Sequence, residues 1–390
     1  MDARVTQLQV AQRADVPPFH VMDMIEAAAR RQREYGDVLS LLAGQPLTGA
    51  PGPVAAEAVR LLQSGDPLGY TPATGILELR TAIAAHHRRT HGVEASPDDV
   101  VVTTGASGGF LLAFLAAFEP GDRVAMARPN YPCYRNVLRA LGCEVVELPS
   151  GPQTRFQPTL EQLEQVPDLK GVVIASPANP TGTIMAPEEL AAIAAWCERN
   201  GVQLISDEIY HGIEYGGAMA TSSAWETSRE AVVFGSFSKY FSMTGWRIGW
   251  MLVPERLRRA VDVLTGNFTI CPPTLAQYAA VQAFTDESYA ELDGHVARYA
   301  ANRELMLNGL RDLGIDKTAP ADGAFYVYTD VSHLTDDTMA WCRWLLATHG
   351  VAAAPGIDFD TETGHRFVRF SFAGDGVEIR AALQRLRAVV

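Results

Sequence analysis

The sequence predicts an α/β protein built on a mainly parallel sheet with helices on both faces. Two observations carry this. From about residue 55 to 300, short β-branched apolar runs alternate with Ala-, Leu- and Glu-rich stretches of helical period, the pattern of βαβ units. The residues just past those runs are glycine-rich, aromatic or polar, where open parallel sheets bind their ligands.

The elements follow in order. Residues 1–50 are mixed in character and lead into LLAGQPLTGAPGP (41–53), a Gly/Pro-rich crossing between domains. DDVVVTT (98–104) reads as a strand and SGGFLLAFLAAFEPG (107–121) as the helix after it. DRVAMA (122–127) precedes a helix around YRNVLRALG (134–142), and GVVIAS (171–176) precedes PEELAAIAAWCERNG (187–201). VQLIS (202–206) and AVVFGS (231–236) continue the series. RIGWMLV (247–253) follows after about ten residues, too few for a parallel crossover, so it is expected to run antiparallel. The later chain reads as a smaller α+β unit. It has a helix over 298–313, a strand in AFYVYTDVS (324–332) and a helix around 336–349. Strands in VAAAPG (351–356) and HRFVRFSFA (365–373) and a final helix over 375–388 complete it. The boundaries are drawn at 1–50, 51–300 and 301–390.

Composition narrows the function. The 390 residues carry a formal charge of −13 with no long basic run, which argues against nucleic acid as a partner. The longest apolar run, FLLAFLAAF (110–118), is half a membrane span at most, and MDARVTQLQVAQRAD has no apolar signal core. Five scattered cysteines without a CxxC motif fit free thiols in a reducing cytoplasm. The expected protein is cytoplasmic, with neither membrane nor nucleic acid as a partner and no metal site.

Five strand ends place their polar groups along one edge of the sheet. These are GASGG (105–109), RPNYP (128–132) with Tyr131, PANPTG (177–182) with Asn179, Asp207 with Tyr210, and Lys239. A glycine-rich turn opening a helix offers free N–H groups and a positive dipole end to an anion. A carboxylate closing a buried strand calls for a cation. Each residue taken alone has a plainer reading: a strand-to-helix turn, a helix cap, a core aromatic, a turn-forming Asn. Lys239 stands out because the chain has only three lysines, the others being Lys170 and Lys317, against 29 arginines. A lysine between aromatics can snorkel to water. Desolvated, it is also a nucleophile toward carbonyls, which arginine is not.

SFSKYFSMTGWRIG (236–249) resembles the pyridoxal-phosphate attachment signature of the class I/II (aspartate aminotransferase-like) aminotransferases. YTPATGILELR (70–80), SPANPTGT (176–183), SDEIY (206–210) and VRFSFA (368–373) are similar to segments of the same family, in the same order. The resemblance spans about residues 40–385. It implies the type I fold of pyridoxal-phosphate enzymes, with a mainly parallel seven-stranded sheet in the large domain. The N-terminal segment would join the C-terminal block in the small one. It also implies roles. Lys239 would hold pyridoxal 5′-phosphate as a Schiff base and later move the substrate Cα proton. Asp207 would pair with the pyridine nitrogen. Tyr210 and Asn179 would hydrogen-bond the ring oxygen, and Tyr131 would stack on the ring. The backbone of Ala106 and Ser107, with the Ser236 and Arg247 side chains, would hold the phosphate. Tyr70 would reach the phosphate of a neighbouring subunit, making a homodimer. Arg369 would bind the substrate α-carboxylate, beside Gly44 and Asn179 in the substrate pocket.

Two departures bear on substrate. The family often has Gly-Glu-Pro where this chain has GQP (44–46), and lineages for acidic substrates often carry a lysine where Ser107 stands. With no other cation in view for a side-chain carboxylate, the expected donor is neutral and aliphatic, such as alanine or valine, with a 2-oxo acid acceptor. Aspartate stays open, since a partner subunit could supply the cation. A carbon–sulfur lyase on the same fold is the alternative. A regulator is not expected, because the roughly 40 residues before LLAGQP show no basic helix-turn-helix pattern.

Overall fold

The computed structural model describes residues 9–216 and 219–389; residues 1–8, included above in the N-terminal segment, lie outside this range. Twelve strands are present among the described residues. They are β1 (Leu39–Ser40), β2 (Val100–Thr103), β3 (Arg123–Arg128), β4 (Glu144–Pro149), β5 (Leu169–Ala175) and β6 (Gln203–Asp207), then β7 (Val232–Ser236), β8 (Gly249–Leu252), β9 (Tyr326–Asp330), β10 (Val351–Ala352), β11 (Ala354–Pro355) and β12 (Phe367–Ser371). Seven of them form one sheet in the order β2-β8-β7-β6-β5-β3-β4. β8 runs antiparallel to both neighbours, as its short connection requires, and the remaining pairs are parallel.

Side chains alternate across this sheet and feed two cores. Val101, Val124, Met126, Val173, Ile205, Phe234 and Met251 face the helices Gly105–Ala117 and Pro132–Ala140. Val100, Val102, Ala125, Val172, Ile174, Leu204, Val233 and Trp250 face the opposite side, with helices Leu77–His91 and Pro187–Asn200. A strand buried on both faces must be apolar at every position, which explains the unbroken runs in the sequence.

β4 was not anticipated. It is one of the two edge strands, paired with β3 alone and mostly half-exposed. Glu144 and Glu147 break its apolar run, as suits an exposed edge. The helix expected over 298–313 begins much earlier and spans Asp286–Asp312. Thr285 caps it through the Ser288 amide, and Gly294 with Asp293 interrupts the helical pattern in its first half.

β11, β12 and β9 form a three-stranded antiparallel sheet. β1 pairs in parallel with β10, so the N-terminal segment is hydrogen-bonded to the C-terminal part of the chain. The helix His20–Tyr35 reinforces the link: Arg31 forms a two-pronged pair with Asp37 and donates to the Ala347 carbonyl.

Packing at the sheet centre leaves no room for a side chain at Gly171, where a Cβ would lie 2.3 Å from the Phe118 ring. Gly171→Ala is expected to lower stability by about 1–3 kcal/mol through overpacking. Gly294→Ala, inside a helix with open space around it, is expected to raise it by about 0.5–1 kcal/mol. Thermal melting of the two variants against the parent checks both signs.

Candidate active site

Past the carboxyl ends of the sheet strands lies a cavity of about 550 Å³. Its walls include every site residue read from the sequence except Tyr70. Tyr70 is 83% exposed on the surface and does not join them within one chain.

One end of the cavity is an anion cradle. The helix Gly105–Ala117 starts without a side-chain cap, leaving its first N–H groups free. Gly105 has φ 69°, and a Cβ there would lie 2.5 Å from the Arg247 guanidinium. Only glycine lets the arginine approach the helix start this closely. A Cβ at Gly249 would likewise press on the Ala106 amide nitrogen, at 2.9 Å. Arg247 donates to the Thr244 carbonyl at 3.0 Å. Ser236 and Ser238 line the same region, and Ser236 Oγ accepts from the Ser238 amide. Amides, hydroxyls and a guanidinium converge, which is the donor set for a phosphate.

Mid-cavity, Asp207 closes β6 at 3% exposure. Its carboxylate accepts from the Tyr134 hydroxyl and from the Ile209 amide at 3.2 Å. Burial pushes its pKa up to about 6, against those two bonds and the Lys239 charge. A carboxylate held this way is stabilised by a cation placed against it, such as a protonated ring nitrogen. Lys239 follows β7 and donates to the Gly44 carbonyl at 2.6 Å, with its ammonium 5.5 Å from the Tyr210 ring centroid. Burial first, then the Arg369 and Arg247 charges, bring its pKa down to about 8, while Asp207 opposes them. The amine is therefore about half deprotonated near pH 8, and far more available as a nucleophile than an ordinary lysine.

At the far end Arg369 projects from β12 at 2% exposure. Nη1 donates to Asn179 Oδ1 at 2.8 Å and Nη2 to the Leu42 carbonyl at 3.0 Å, while Nε has no partner. The rings of Tyr326 and Phe359 flank it, with centroids 4.4 and 4.9 Å away. All of these partners are neutral, so a carboxylate entering the cavity meets an unneutralised guanidinium. Gly44 makes space beside it: a Cβ there would lie 3.0 Å from the Tyr326 hydroxyl and 3.6 Å from Nη2. Tyr131 begins the helix Pro132–Ala140 and meets Phe19 and Tyr134 edge-on.

Three sets of cavity residues escaped the sequence reading. Tyr134 lies one helical turn after Tyr131 and anchors Asp207. Tyr326 bonds the Tyr210 hydroxyl at 2.7 Å, and its ring lies against Arg369. It could have been found from its strand, since β9 pairs with β12 and brings Tyr326 diagonally beside Arg369. Phe19 and the helix residues Val21, Met22, Ile25 and Ala28 form an apolar wall. Their spacing of 21, 25 and 28 is a helical stripe, overlooked in a segment of mixed composition.

The aminotransferase class I and II family model matches residues 36–386. The chain is 65% identical over 379 residues to the valine–pyruvate aminotransferase of Mycobacterium tuberculosis, covering 97% of each. It is 35% identical over 371 residues to the aspartate/prephenate aminotransferase of Thermus thermophilus, covering 94% of each. Among solved structures, an aminotransferase from M. tuberculosis superposes with a TM-score of 0.96 at 64% identity, over 98% of this chain and 99% of that one. The T. thermophilus aspartate aminotransferase with maleate superposes at 0.92 and 32% identity, over 98% and 100%.

The unneutralised Asp207 has a measurable cost. A carboxyl whose folded pKa lies above its unfolded one destabilises the fold as pH rises between the two, here from about 4 to about 6. Asp207→Asn is therefore expected to raise the melting temperature of the cofactor-free protein by a few degrees at pH 8 and to leave it nearly unchanged at pH 4. Melting curves at the two pH values test this.

Proposed function

Because the chain belongs to the class I and II aminotransferases, a pyridoxal-phosphate-dependent family, we propose that it transfers an amino group between a neutral aliphatic L-amino acid and a 2-oxo acid, in two alternating half-reactions. Valine with pyruvate is the favoured pair. The observation that carries the substrate class is the charge inventory of the cavity. Its cations are Lys239, Arg247 and Arg369, each matched to the cofactor or to the α-carboxylate. The lining also carries the apolar side chains of Phe19, Val21, Met22 and Ile25, and uncharged polar groups such as Ser40 and Gln45. A side-chain carboxylate would be desolvated there without a partner. The name of the 65%-identical relative supports the same class.

The residues fit the cofactor. Ala106 and Ser107 amides, Ser236 and Arg247 would take its phosphate, Tyr131 its ring face, Tyr210 and Asn179 its ring oxygen, and Asp207 its ring nitrogen. When bound, it supplies a carbonyl that captures the amino group and a ring that accepts the charge developing at the substrate Cα. Arg369 holds the α-carboxylate through paired N–H bonds and so fixes which Cα bond faces Lys239. Lys239 Nζ takes the Cα proton as general base and returns it as general acid. Asp207 would keep the ring nitrogen protonated, because a buried carboxylate is stabilised by N–H donation.

We also propose a homodimer in which Tyr70 completes the neighbouring phosphate site. Tyr70, Leu62, Leu77, Phe268 and Ile270 are large exposed groups that a second copy would cover. The two sheet systems would then act as a large domain (51–300) and a small one (301–390) joined by residues 1–50, in keeping with the β1–β10 pairing. No helix among the described residues is long and apolar enough to cross a membrane. The five free cysteines fit a reducing cytoplasm.

Stopped-flow half-reactions test the function. The purified holoenzyme is expected to lose its visible absorbance on adding L-valine or L-alanine without an acceptor, and to respond far less to L-aspartate. Lys239→Ala is expected to lower kcat/KM by about ten-thousand-fold, the upper range for a general acid–base group. Release of ammonia and pyruvate from cysteine-type donors without an acceptor would contradict the assignment and favour a lyase.

A further inference from the structure

The helix His20–Tyr35 has no cap of its own, since Phe19 offers no side-chain hydrogen bond. Asp358 supplies one from the far end of the chain. It is 3% exposed, and its two carboxylate oxygens accept from the His20 amide at 2.9 Å and the Val21 amide at 2.7 Å. An acid here satisfies two orphan donors and opposes the positive end of the helix dipole. The next residue, Phe359, lies against the Arg369 guanidinium, and Arg135 donates to the Asp358 carbonyl at 3.0 Å. Two consecutive residues thus connect the start of this helix to the arginine at the end of the cavity. The helix face they orient carries Val21, Met22 and Ile25, with Phe19 just before it touching Tyr131. Met22 and Ile25 remain 56% and 42% exposed although they line the cavity. Apolar surface left open at a cavity wall is surface that an apolar ligand group would cover.

We propose that Asp358 is a positioning residue for substrate selection. By capping the helix His20–Tyr35 it holds the Phe19–Ile25 wall at a fixed offset from Arg369, a role that rests on the neutral-aliphatic reading above. An amino acid with its carboxylate on Arg369 is then sorted by how well an uncharged, branched side chain packs on that wall. Alanine reaches the wall less than valine does, so the wall sets the preference between them.

The test compares kcat/KM for L-valine and L-alanine in the holoenzyme, alongside amide hydrogen exchange. In Asp358→Ala the valine-over-alanine preference is expected to fall about tenfold, mostly through the KM for valine, the scale of lost apolar contacts in a pocket. Amides over residues 20–25 are expected to exchange faster, while those of β3 keep their protection. Asp358→Asn, which retains an acceptor, is expected to fall between parent and Asp358→Ala. It replaces that variant if Asp358→Ala does not fold. Ile25→Ala is expected to lower the preference with exchange over 20–25 unchanged. A preference that survives these substitutions overturns the proposal, as does an Asp358→Ala helix start that stays fully protected. Parent enzyme that prefers aspartate to valine overturns the substrate class and the wall together. Parent enzyme that prefers valine, with variants that keep its preference, overturns the wall alone.

Discussion

Four charged side chains, Asp207, Lys239, Arg247 and Arg369, line one cavity, and the hydrogen bonds of Asp207, Lys239 and Arg369 go to neutral groups. Isolated charges at such depth are expensive, and a free chain would expose or neutralise them. The seven-stranded sheet prevents this. Asp207 is the last residue of β6 and Lys239 follows three residues after β7, so neither can withdraw without breaking the ladder. Arg369 is fixed by β12, paired on both sides, and by the rings of Tyr326 and Phe359. The cost stored there becomes affinity for whatever supplies the missing opposite charges: a ring nitrogen cation, a phosphate, a carboxylate.

The neutral groups around the charges keep them apart. Asn179 and the Leu42 carbonyl occupy two of the Arg369 donors without neutralising the guanidinium. The Gly44 carbonyl, a neutral acceptor, takes the hydrogen bond of the Lys239 amine. The Tyr210–Tyr326 hydroxyl pair joins the large sheet to the β9–β12 sheet within the cavity itself.

Much of this was legible in the sequence because it follows from strand ends. Buried parallel strands are unbroken apolar runs, and the first polar residue after each run has little choice but to face the same edge. Asp207, Asn179 and Lys239 were found that way, and the antiparallel β8 from the length of one connection. What the sequence hid lacks that signature. β4 is an edge strand whose glutamates disguise it. The Phe19–Ile25 wall belongs to a helix whose first amides are capped by Asp358, 338 residues after His20. Tyr326 owes its place to cross-strand register. Tyr70, placed in the site by the family pattern, faces solvent in a single chain, so the role implied for it calls for a second copy.

The fold turns one lysine into a poised amine by burying it near other cations. The chain has only three lysines, so an NMR titration of the cofactor-free protein labelled at lysine Cε is simple to read, with Lys239→Ala identifying the signal. The Lys239 signal is expected to titrate near pH 8. A titration at or above the ordinary lysine value of 10.5 would contradict it.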